Sequence, residues 1–220
     1  MRFDEKLLEN LKPNGDPVLH FYDWSRPSAT YGYFIRPEKH LDLQNIKTHA
    51  VDLARRPTGG GIVFHMGDLA FSFCMPAAHP QFCLGTLQNY QFVNTVVLET
   101  IQSYFSLAPE LIPEDAPSLG SDCQNFCMAK PTQYDVVYQG LKIAGAAQRK
   151  RSQGYLHQGT ISLMAPTIDL LSDLLVSKHD VLCAMTSFSF APVKKREQLH
   201  ETRRDLQKLL ADKLLIALKS

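Results

Sequence analysis

The chain has 220 residues, of which 45% are hydrophobic, and its formal net charge at pH 7 is +1. This length and hydrophobic content suit one globular domain with a sizeable core, and the near-zero charge excludes a general electrostatic attraction to nucleic acid or anionic lipid. Charged residues are scattered through the N-terminal stretch and no later apolar run is long enough to cross a bilayer, so we expect a cytoplasmic protein that binds neither membrane nor nucleic acid.

The first half of the sequence predicts a short helix, three strands and a long helix. The ranges are 4–12 for the first helix, 17–24, 29–35 and 61–75 for the strands, and 84–105 for the long helix. Turn-forming residues at 25–28 join the first two strands, and Trp24 before them is expected to lie in the core. Within the third strand pattern, Gly67 followed by Asp68 predicts a bend or a hairpin.

The second half predicts a loop, a hairpin, one more strand and two helices. The ranges are 106–121 for the loop with Pro109, Pro113 and Pro117, 134–138 and 141–147 for the hairpin strands, 155–163 for the last strand, and 167–177 and 194–219 for the helices. The hairpin is the clearest feature, because Gln139 and Gly140 form a two-residue turn between two apolar runs. Strands grouped into hairpins with separate helices predict an α+β fold, with a mixed or mainly antiparallel sheet layered with helices, in a single domain over residues 1–220.

A short stretch before the third strand combines arginines, a threonine, three consecutive glycines and a histidine. These residues are Arg55, Arg56, Thr58, Gly59, Gly60, Gly61 and His65. Glycine permits positive φ and lets a ligand approach the backbone without meeting a Cβ. An arginine-flanked glycine turn can hold an anion or a flat polar group against its N–H donors, although an ordinary tight turn has the same pattern. The histidine is either a base or a hydrogen-bonded structural residue.

Two further residues are candidates for chemistry. Lys142 faces the side of its strand opposite to its apolar neighbours, where it is either an exposed lysine or a group that stabilises negative charge in a transition state. Cys127 follows the proline-rich loop and becomes a nucleophile only beside a cation such as Lys142, Lys130 or His157; otherwise it is a small buried hydrophobe. The five cysteines are irregularly spaced, which predicts unbridged thiols and no zinc site.

Three segments, in this order, resemble the catalytic domain of the lipoate-protein ligase and cysteine-dependent octanoyltransferase family, which is distantly related to biotin-protein ligases. They are RRPTGGGIVFH at 55–65, LKIAGAAQRK at 141–150 and LHQGT at 156–160. The resemblance implies that the glycine segment wraps an acyl group and that Lys142 contacts the acyl carbonyl. The substrate-binding residues that it implies are Arg55, Arg56, Thr58, Gly59, Gly60, Gly61, His65, Tyr134, Asp135, Gly145, Ala146, His157, Gly159 and Thr160.

The segment CMAKPTQYDVV at 127–137 is similar to the Cys-x-x-x-Pro-Ser-x-Tyr-Glu segment of the cysteine-dependent octanoyltransferases, and it makes Cys127 the matching nucleophile. Thr132 and Asp135 depart from that pattern conservatively. The ligases have an Asn-Asp pair where this chain has Tyr134 and Asp135. Gly61 instead resembles the ligases, because the matching transferases often have arginine at this position. We also expect no accessory C-terminal domain of the kind that long ligases have.

The resemblance implies an enzyme that attaches an octanoyl or lipoyl group to a specific lysine of a lipoyl carrier domain, in a 2-oxoacid dehydrogenase or glycine cleavage complex. In one route Cys127 takes the acyl group from an acyl carrier protein, and no cofactor or metal is required. In the alternative, ATP and Mg²⁺ activate lipoate as an adenylate, and Cys127 is only structural. A third hypothesis is a non-catalytic protein that binds lipoyl domains.

Overall fold

Two separate β-sheets organise the protein, and its computed structural model describes residues 1–116 and 123–220. The strands in these residues are β1 Val18–Phe21, β2 Ser28–Tyr31, β3 Asp52–Arg55, β4 Ile62–His65, β5 Asp68–Pro76, β6 Glu110–Leu111, β7 Val136–Tyr138, β8 Leu141–Arg151 and β9 Gly154–Ser162. The larger sheet has the order β1-β5-β9-β8-β7-β6 and is antiparallel throughout. The smaller sheet has the order β3-β2-β4, with β2 parallel to β3 and antiparallel to β4. The expected α+β class with a mainly antiparallel sheet is confirmed.

Helices cover the two sheets and build a separate core with each. They are α1 Arg2–Glu9, α2 Leu43–Thr48, α3 Thr86–Phe105, α4 Ile168–Leu174, α5 Lys178–Phe188 and α6 Leu199–Ala217. Val97 of α3 and Leu206 of α6 belong to the core that includes β5 and β9 of the larger sheet. A second core joins the smaller sheet to α2, α4 and α5. None of the helices in the described residues is long and apolar enough to cross a membrane.

The predicted hairpin is present and consists of β7 and β8. Gln139 and Gly140 both have positive φ, 53° and 77°, as a two-residue turn that follows the twist of the strands requires. The pairing register shifts where Val137 pairs with Lys142 and Val136 with Ala144, so Ile143 of β8 is the extra residue of a β-bulge or similar irregularity. A bulge changes the direction in which nearby side chains point, and Lys142 is the β8 residue paired with Val137.

Two connections carry the chain from one sheet to the other. β1 and β2 do not pair with each other, because residues 22–27 lead from the larger sheet to the smaller one. The chain returns at Gly67, where the predicted bend is present and the alternative hairpin is not, since β4 and β5 lie in different sheets. A Cβ on Gly67 would lie 2.2 Å from the carbonyl oxygen of Met164, which explains why a glycine makes this crossing. Trp24 is only partly buried and stacks on His65, with ring centroids 4.4 Å apart, instead of lying in the core.

The helix predictions are confirmed with changed bounds, and two helices, α2 and α5, were not predicted. α1 begins two residues earlier than expected, and α6 begins at Leu199 after the 3-10 turn Arg196–Gln198. α5 buries Val181, Ala184 and Met185 in the second core without a side-chain cap at its start. The proline-rich loop contains the short strand β6, and its residues 117–121 lie outside the described part of the chain.

Candidate active site

An inner cavity lies between the two sheets, with about 450 Å³ of space among its lining residues when its opening to solvent is included. Its floor is a row across three strands of the larger sheet, in which Ala70 and Gly145 each pair with Thr160. Two of these three residues lack long side chains, and this leaves room above the sheet. The smaller sheet supplies the opposite wall. The lining residues are Met1, Tyr22, Thr30, Arg56, Val63, His65, Ala70, Phe71, Cys127, Met128, Lys142, Gly145, Ala146, Ala147, Gln158, Gly159 and Thr160.

Cys127 begins a 3-10 turn, Cys127–Ala129, that places its thiol at the wall of the inner cavity. The backbone N–H of Gly61 donates a hydrogen bond to its Sγ at 3.2 Å. A Cβ on Gly61 would lie 2.3 Å from the carbonyl oxygen of Asn125. The backbone therefore approaches the thiol closely only because residue 61 has no side chain, and an arginine would not fit here unless the segment carrying Cys127 moved.

Arg56 holds the glycine turn in place from inside the protein. Its guanidinium donates to the carbonyl oxygens of Gly59 at 3.1 Å and Gly61 at 2.7 Å, and to Thr30 Oγ1 at 2.8 Å. These bonds tie the turn to β2 of the smaller sheet. Gly60 has a φ of 81°, which a side chain would disfavour. The structure thus gives the buried arginine a supporting role in the turn, and its charge faces the inner cavity.

Two other residues of this stretch lie away from the inner cavity. Arg55 is exposed and its guanidinium lies 4.8 Å from the centroid of the Tyr33 ring, on the outside of the glycine turn. Thr58 is buried and donates to Gln158 Oε1 at 2.8 Å, so that it links the turn to β9. Sequence patterns did not reveal Gly32, although a Cβ there would lie 1.9 Å from the carbonyl oxygen of Gly60.

Lys142 is buried and paired, and the alternative of an exposed strand lysine is wrong. Its Nζ lies 2.6 Å from Asp135 Oδ2 and donates to the carbonyl oxygen of Cys127 at 2.8 Å. A third contact, to the carbonyl oxygen of Lys130, is long at 3.5 Å. A Cβ on Gly145 would lie 2.7 Å from Nζ. The ammonium group therefore sits against the floor of the inner cavity beside the residue that carries the thiol.

Asp135 does not line the inner cavity, but its carboxylate holds the Lys142 ammonium group in position. Its carboxylate accepts hydrogen bonds from Tyr90 Oη at 2.6 Å and from the backbone N–H and hydroxyl of Thr132 at 2.7 and 2.8 Å. Tyr90 Oη also accepts from the N–H of Ala146 at 2.9 Å. Burial and the nearby charge of Asp135 raise the pKa of Tyr90 well above its ordinary value, so Tyr90 remains a neutral donor. Sequence reasoning placed Tyr90 only on the buried face of a helix.

Tyr134 and His157 were predicted in the site, and the structure brings neither to the inner cavity. Tyr134 has a φ of 64° and uses its backbone to bind Ile112 and Asn94. His157 points to the opposite face of β9, where its ring lies 5.5 Å from that of Tyr90. Complete burial lowers the pKa of His157 to about 3, so it is uncharged at neutral pH and cannot be the cation that activates Cys127.

His65 forms part of a polar wall in which both of its ring nitrogens have partners. Its Nε2 lies 2.8 Å from Thr30 Oγ1 and its Nδ1 lies 2.7 Å from Asp68 Oδ2, which also accepts a hydrogen bond from Thr160 Oγ1 at 2.6 Å. Because a carboxylate only accepts, Nδ1 is the donor to Asp68. This arrangement suits a structural histidine better than a base that has to exchange protons with a substrate.

The inner cavity is also lined by Met1 and by Tyr22, whose hydroxyl donates to the fully buried Asp4 at 2.5 Å. Burial and the charge of Asp4 raise the pKa of Tyr22 well above its ordinary value. Gln158 donates to Tyr22 Oη at 2.8 Å. Small residues on the floor, together with the thiol and the ammonium group, form a chamber that suits an extended apolar chain with a reactive carbonyl.

The described residues contain no group of three or more His, Cys, Asp or Glu side chains that could hold a metal ion. The five cysteines all lie in the described part of the chain, and none of them forms a disulfide there. Cys74 is buried, which raises the pKa of its thiol to about 12 and leaves it unreactive at neutral pH.

Comparison with known proteins supports one family. The model described as the lipoyl protein ligase A/B catalytic domain matches residues 1–211. The octanoyltransferase LipM of Staphylococcus aureus is 33% identical over 189 residues, which cover 83% of this chain and 67% of the relative. LipM of Staphylococcus epidermidis is 32% identical over 197 residues, which cover 86% of this chain and 70% of the relative. This chain therefore spans about two thirds of the length of these relatives.

Among solved structures, a similar fold occurs in a putative lipoate protein ligase from T. acidophilum with bound lipoic acid. It is 25% identical in sequence, has a TM-score of 0.70, and the match covers 96% of this chain and 78% of that chain. A lipoate-protein ligase A bound with ATP, at 24% identity, has a TM-score of 0.71 and a match that covers 96% of this chain and 78% of that chain. The expected lipoate-ligase-like fold is therefore confirmed.

Proposed function

The chain belongs to the family of lipoyl protein ligase A/B catalytic domains, and from this premise we propose that it transfers an octanoyl group to a specific lysine of a lipoyl carrier domain. The donor is the thioester of an acyl carrier protein, the intermediate is a thioester on Cys127, and the route requires no cofactor. The target is the carrier domain of a 2-oxoacid dehydrogenase or glycine cleavage complex. The activity in the name of the octanoyltransferase relatives supports this proposal.

The observation that carries the proposal is that the thiol of Cys127 and the ammonium group of Lys142 line the same inner cavity. The floor of that cavity runs from Gly145 on β8 across β9 to Ala70 on β5. Neighbouring strands lie about 4.8 Å apart, so the floor is about 10 Å long. This length suits an extended eight-carbon chain whose carbonyl carbon lies at the β8 end, beside the thiol and the ammonium group.

In the first half-reaction the deprotonated Cys127 attacks the carbonyl carbon of the donor thioester. A bond forms between this carbon and Sγ, and the bond to the sulfur of the carrier breaks. The released carrier thiol takes up a proton equivalent to the one that Cys127 lost. The octanoyl tail remains in the inner cavity, and the enzyme now holds a thioester.

In the second half-reaction the uncharged amine of the target lysine attacks the same carbonyl carbon. The new C–N bond replaces the C–Sγ bond, the amine loses a proton, and Cys127 returns to the thiol form. Both half-reactions pass through a tetrahedral intermediate with a negatively charged oxygen. The thiol and the ammonium group therefore serve twice in one catalytic cycle.

Two donors are available to stabilise that charged oxygen. Lys142 directs one of its three N–H bonds to Asp135 and one to the carbonyl oxygen of Cys127, while the 3.5 Å contact to Lys130 is too long to be strong. The third proton is thus the one free to turn to a substrate. The N–H of Gly61, at 3.2 Å from Sγ, lies next to any acyl group on that sulfur. An ammonium group in a buried site stabilises such an oxygen more strongly than it does in water.

A second candidate is ATP-dependent ligation of lipoate through an adenylate, with ATP and Mg²⁺ as co-reactants and Cys127 in a structural role. It is retained because the similar T. acidophilum structure is described as a putative lipoate protein ligase with bound lipoic acid. Gly61 also fits this alternative, since the chain has no space for the arginine of the matching transferases.

The test is intact-protein mass spectrometry after the enzyme is mixed with octanoyl-acyl carrier protein. The proposal expects a mass increase of one octanoyl group on Cys127, and loss of this adduct in Cys127→Ala. Cys183→Ala, which changes an exposed cysteine on α5, is the matched control and should retain the adduct. Full ATP-dependent lipoylation of a carrier domain by Cys127→Ala, without any octanoyl adduct on the wild type, would establish the ligase instead. Absence of transfer from every donor would leave only a non-catalytic binder.

A further inference from the structure

Cys127 lies between the inner cavity and a second depression on the surface. We call this depression the outer groove; it lies between the glycine turn and the start of α3 and is lined by Gly59, Gly60, Thr86, Leu87, Gln133 and Gln148. Its empty volume of about 950 Å³ is more open to solvent than the inner cavity. Ala146 and Ala147 of β8 line both spaces, so that the outer groove and the inner cavity share a wall.

The shared wall is thin at the thiol. A Cβ added to Gly60 would lie 3.6 Å from Cys127 Sγ and 3.5 Å from the Cβ of Ala147. Gly60 is exposed on its groove side, whereas Gly61 behind it is buried against the segment that carries the thiol. A group in the outer groove at Gly60 is therefore separated from the sulfur by the thickness of one glycine and no side chain.

The chemistry of a thioester requires two spaces at the nucleophile. The substrate has an acyl limb on one side of its carbonyl carbon and a thiol limb on the other, and attack must leave the thiol limb free to depart. We assign the acyl limb to the inner cavity, whose floor suits its length. The thiol limb needs a separate path to solvent, and the outer groove begins one glycine away from the sulfur.

We propose that the outer groove binds the pantetheine arm of the acyl carrier protein, an inference that rests on the thioester function proposed above. The arm is a long chain with two amide groups, an apolar branched segment and a terminal phosphate. The side-chain nitrogens of Gln133 and Gln148 are already bonded to Pro113 and His157, so their side-chain oxygens, the Asp115 carboxylate and the glycine turn are the partners for the amides. Leu87 is 43% exposed and offers an apolar contact.

Lys150 lies near the place that we propose for the phosphate end of the arm. Lys150 is exposed and follows Gln148 by two residues on the same face of β8, which places it about 7 Å further along the strand. Its ammonium group donates to the carbonyl oxygen of Leu84 and lies over the Phe82 ring, 5.3 Å from the centroid, outside the residues that line the outer groove. A lysine side chain of the target domain is much shorter than the arm, so this region beyond the outer groove serves the donor alone.

The test compares two protein-free donors, octanoyl-pantetheine and the shorter octanoyl-N-acetylcysteamine, by the kcat/KM for formation of the Cys127 thioester. The groove proposal expects the wild type to prefer the longer donor by about tenfold, which is the effect of roughly one good apolar contact and one hydrogen bond. Leu87→Glu should remove most of this preference and change the reaction of the short donor by less than about twofold. Leu215→Glu, at an exposed apolar residue of α6, is the matched control and should preserve the preference.

Equal rates with both donors in the wild type would overturn the proposal. So would an equal slowing of both donors in Leu87→Glu, because that result would place Leu87 at the thiol or at the acyl chain and not on the arm. In both cases Cys127 would still be acylated, and only the assignment of the outer groove would fail. Absence of any Cys127 adduct with either donor and with octanoyl-acyl carrier protein would instead refute the thioester function, and the groove assignment with it.

Discussion

Asp135 Oδ2 lies 2.6 Å from Lys142 Nζ, and both side chains are buried. A buried ion pair is expensive to desolvate and is a poor source of stability compared with apolar packing. This pair is instead well suited to positioning, because Asp135 also binds Tyr90 and Thr132 and so holds the ammonium group against the floor of the inner cavity. The pair therefore matters more for the reaction than for the fold.

Replacing Asp135 with asparagine should lower both the stability of the protein and the rate of Cys127 octanoylation. The change leaves the Lys142 ammonium group buried without its counter-charge, which typically costs about 3–5 kcal/mol of unfolding free energy. We expect octanoylation of Cys127 to slow by at least about tenfold, since the lysine is no longer fixed. Denaturant unfolding and the rate of adduct formation measure the two effects. Tyr90→Phe keeps the ion pair and should cost only about 1–2 kcal/mol.

The double variant Asp135→Asn/Lys142→Met separates positioning from stability. It removes both charges, so most of the unfolding free energy lost in Asp135→Asn should return. The rate of adduct formation should stay as low as in the single variant or fall further. Recovery of the rate together with stability would contradict a role of Lys142 in the reaction.

Gly61→Ala should disturb the thiol, whereas Gly59→Ala should not disturb the fold. A Cβ on Gly61 would lie 2.3 Å from the carbonyl oxygen of Asn125, while a Cβ on Gly59 meets no atom within 4 Å. Forcing a methyl group into a packed site typically costs about 1–3 kcal/mol. Thermal unfolding measures this cost, and the rate at which iodoacetamide alkylates Cys127 reports whether the thiol has moved. Equal melting temperatures for the two variants would show that the contact at residue 61 relaxes freely.

Ala70→Leu should shorten the acyl chain that the enzyme accepts. Ala70 is buried at the floor of the inner cavity, about two strand spacings from Gly145, so a leucine there fills the space expected for the end of an eight-carbon tail. Formation of the octanoyl adduct should fall by about tenfold or more, while a butyryl donor should react nearly as well as with the wild type. Ala78→Leu, in an exposed loop, is the control. Unchanged chain-length preference would place the tail elsewhere.

The buried His157 should make the protein sensitive to acid. The folded state keeps this ring neutral because burial lowers its pKa from 6.5 to about 3, whereas the unfolded chain protonates it below pH 6.5. The unfolded state thus binds more protons between these values, and stability falls as the pH decreases from 6.5. At pH 5 the loss from this group is about 2 kcal/mol.

Denaturant unfolding at pH 7 and pH 5 measures this loss. The difference in unfolding free energy between the two pH values should be about 2 kcal/mol smaller in His157→Gln than in the wild type, because glutamine does not titrate. His200→Gln changes an exposed histidine and should behave like the wild type. The same pH difference in all three proteins would mean that His157 is not desolvated as the structure has it.

The sequence predicts local features of this fold better than long-range ones. Gln139 and Gly140 identify the hairpin because only a few residue pairs adopt the required positive φ, and α3 follows from apolar residues at helical spacing. The division into two sheets is not visible locally, because a strand pattern does not specify its partner. α5 was missed because its periodicity is weak and its start has no side-chain cap.

The same limit applies to the candidate site. Cys127 and Lys142 were candidates from their residue types and positions, the family resemblance gave them roles, and the structure brings both to the inner cavity. Tyr90 had no signal, because a tyrosine on the buried face of a helix has the same pattern whether or not its hydroxyl supports a buried carboxylate. His157 was misplaced because alternate residues of a strand point to opposite faces, and the pattern does not say which face borders a cavity.

The inner cavity lies between two layers whose described strands form no pair across it. A small rigid displacement of one layer therefore changes the width of the chamber without breaking any hydrogen bond of a strand ladder. Substitutions of side chains where the two layers meet can therefore adapt the chamber to thinner or bulkier acyl tails. The reacting groups, fixed at one end, need not change while this happens.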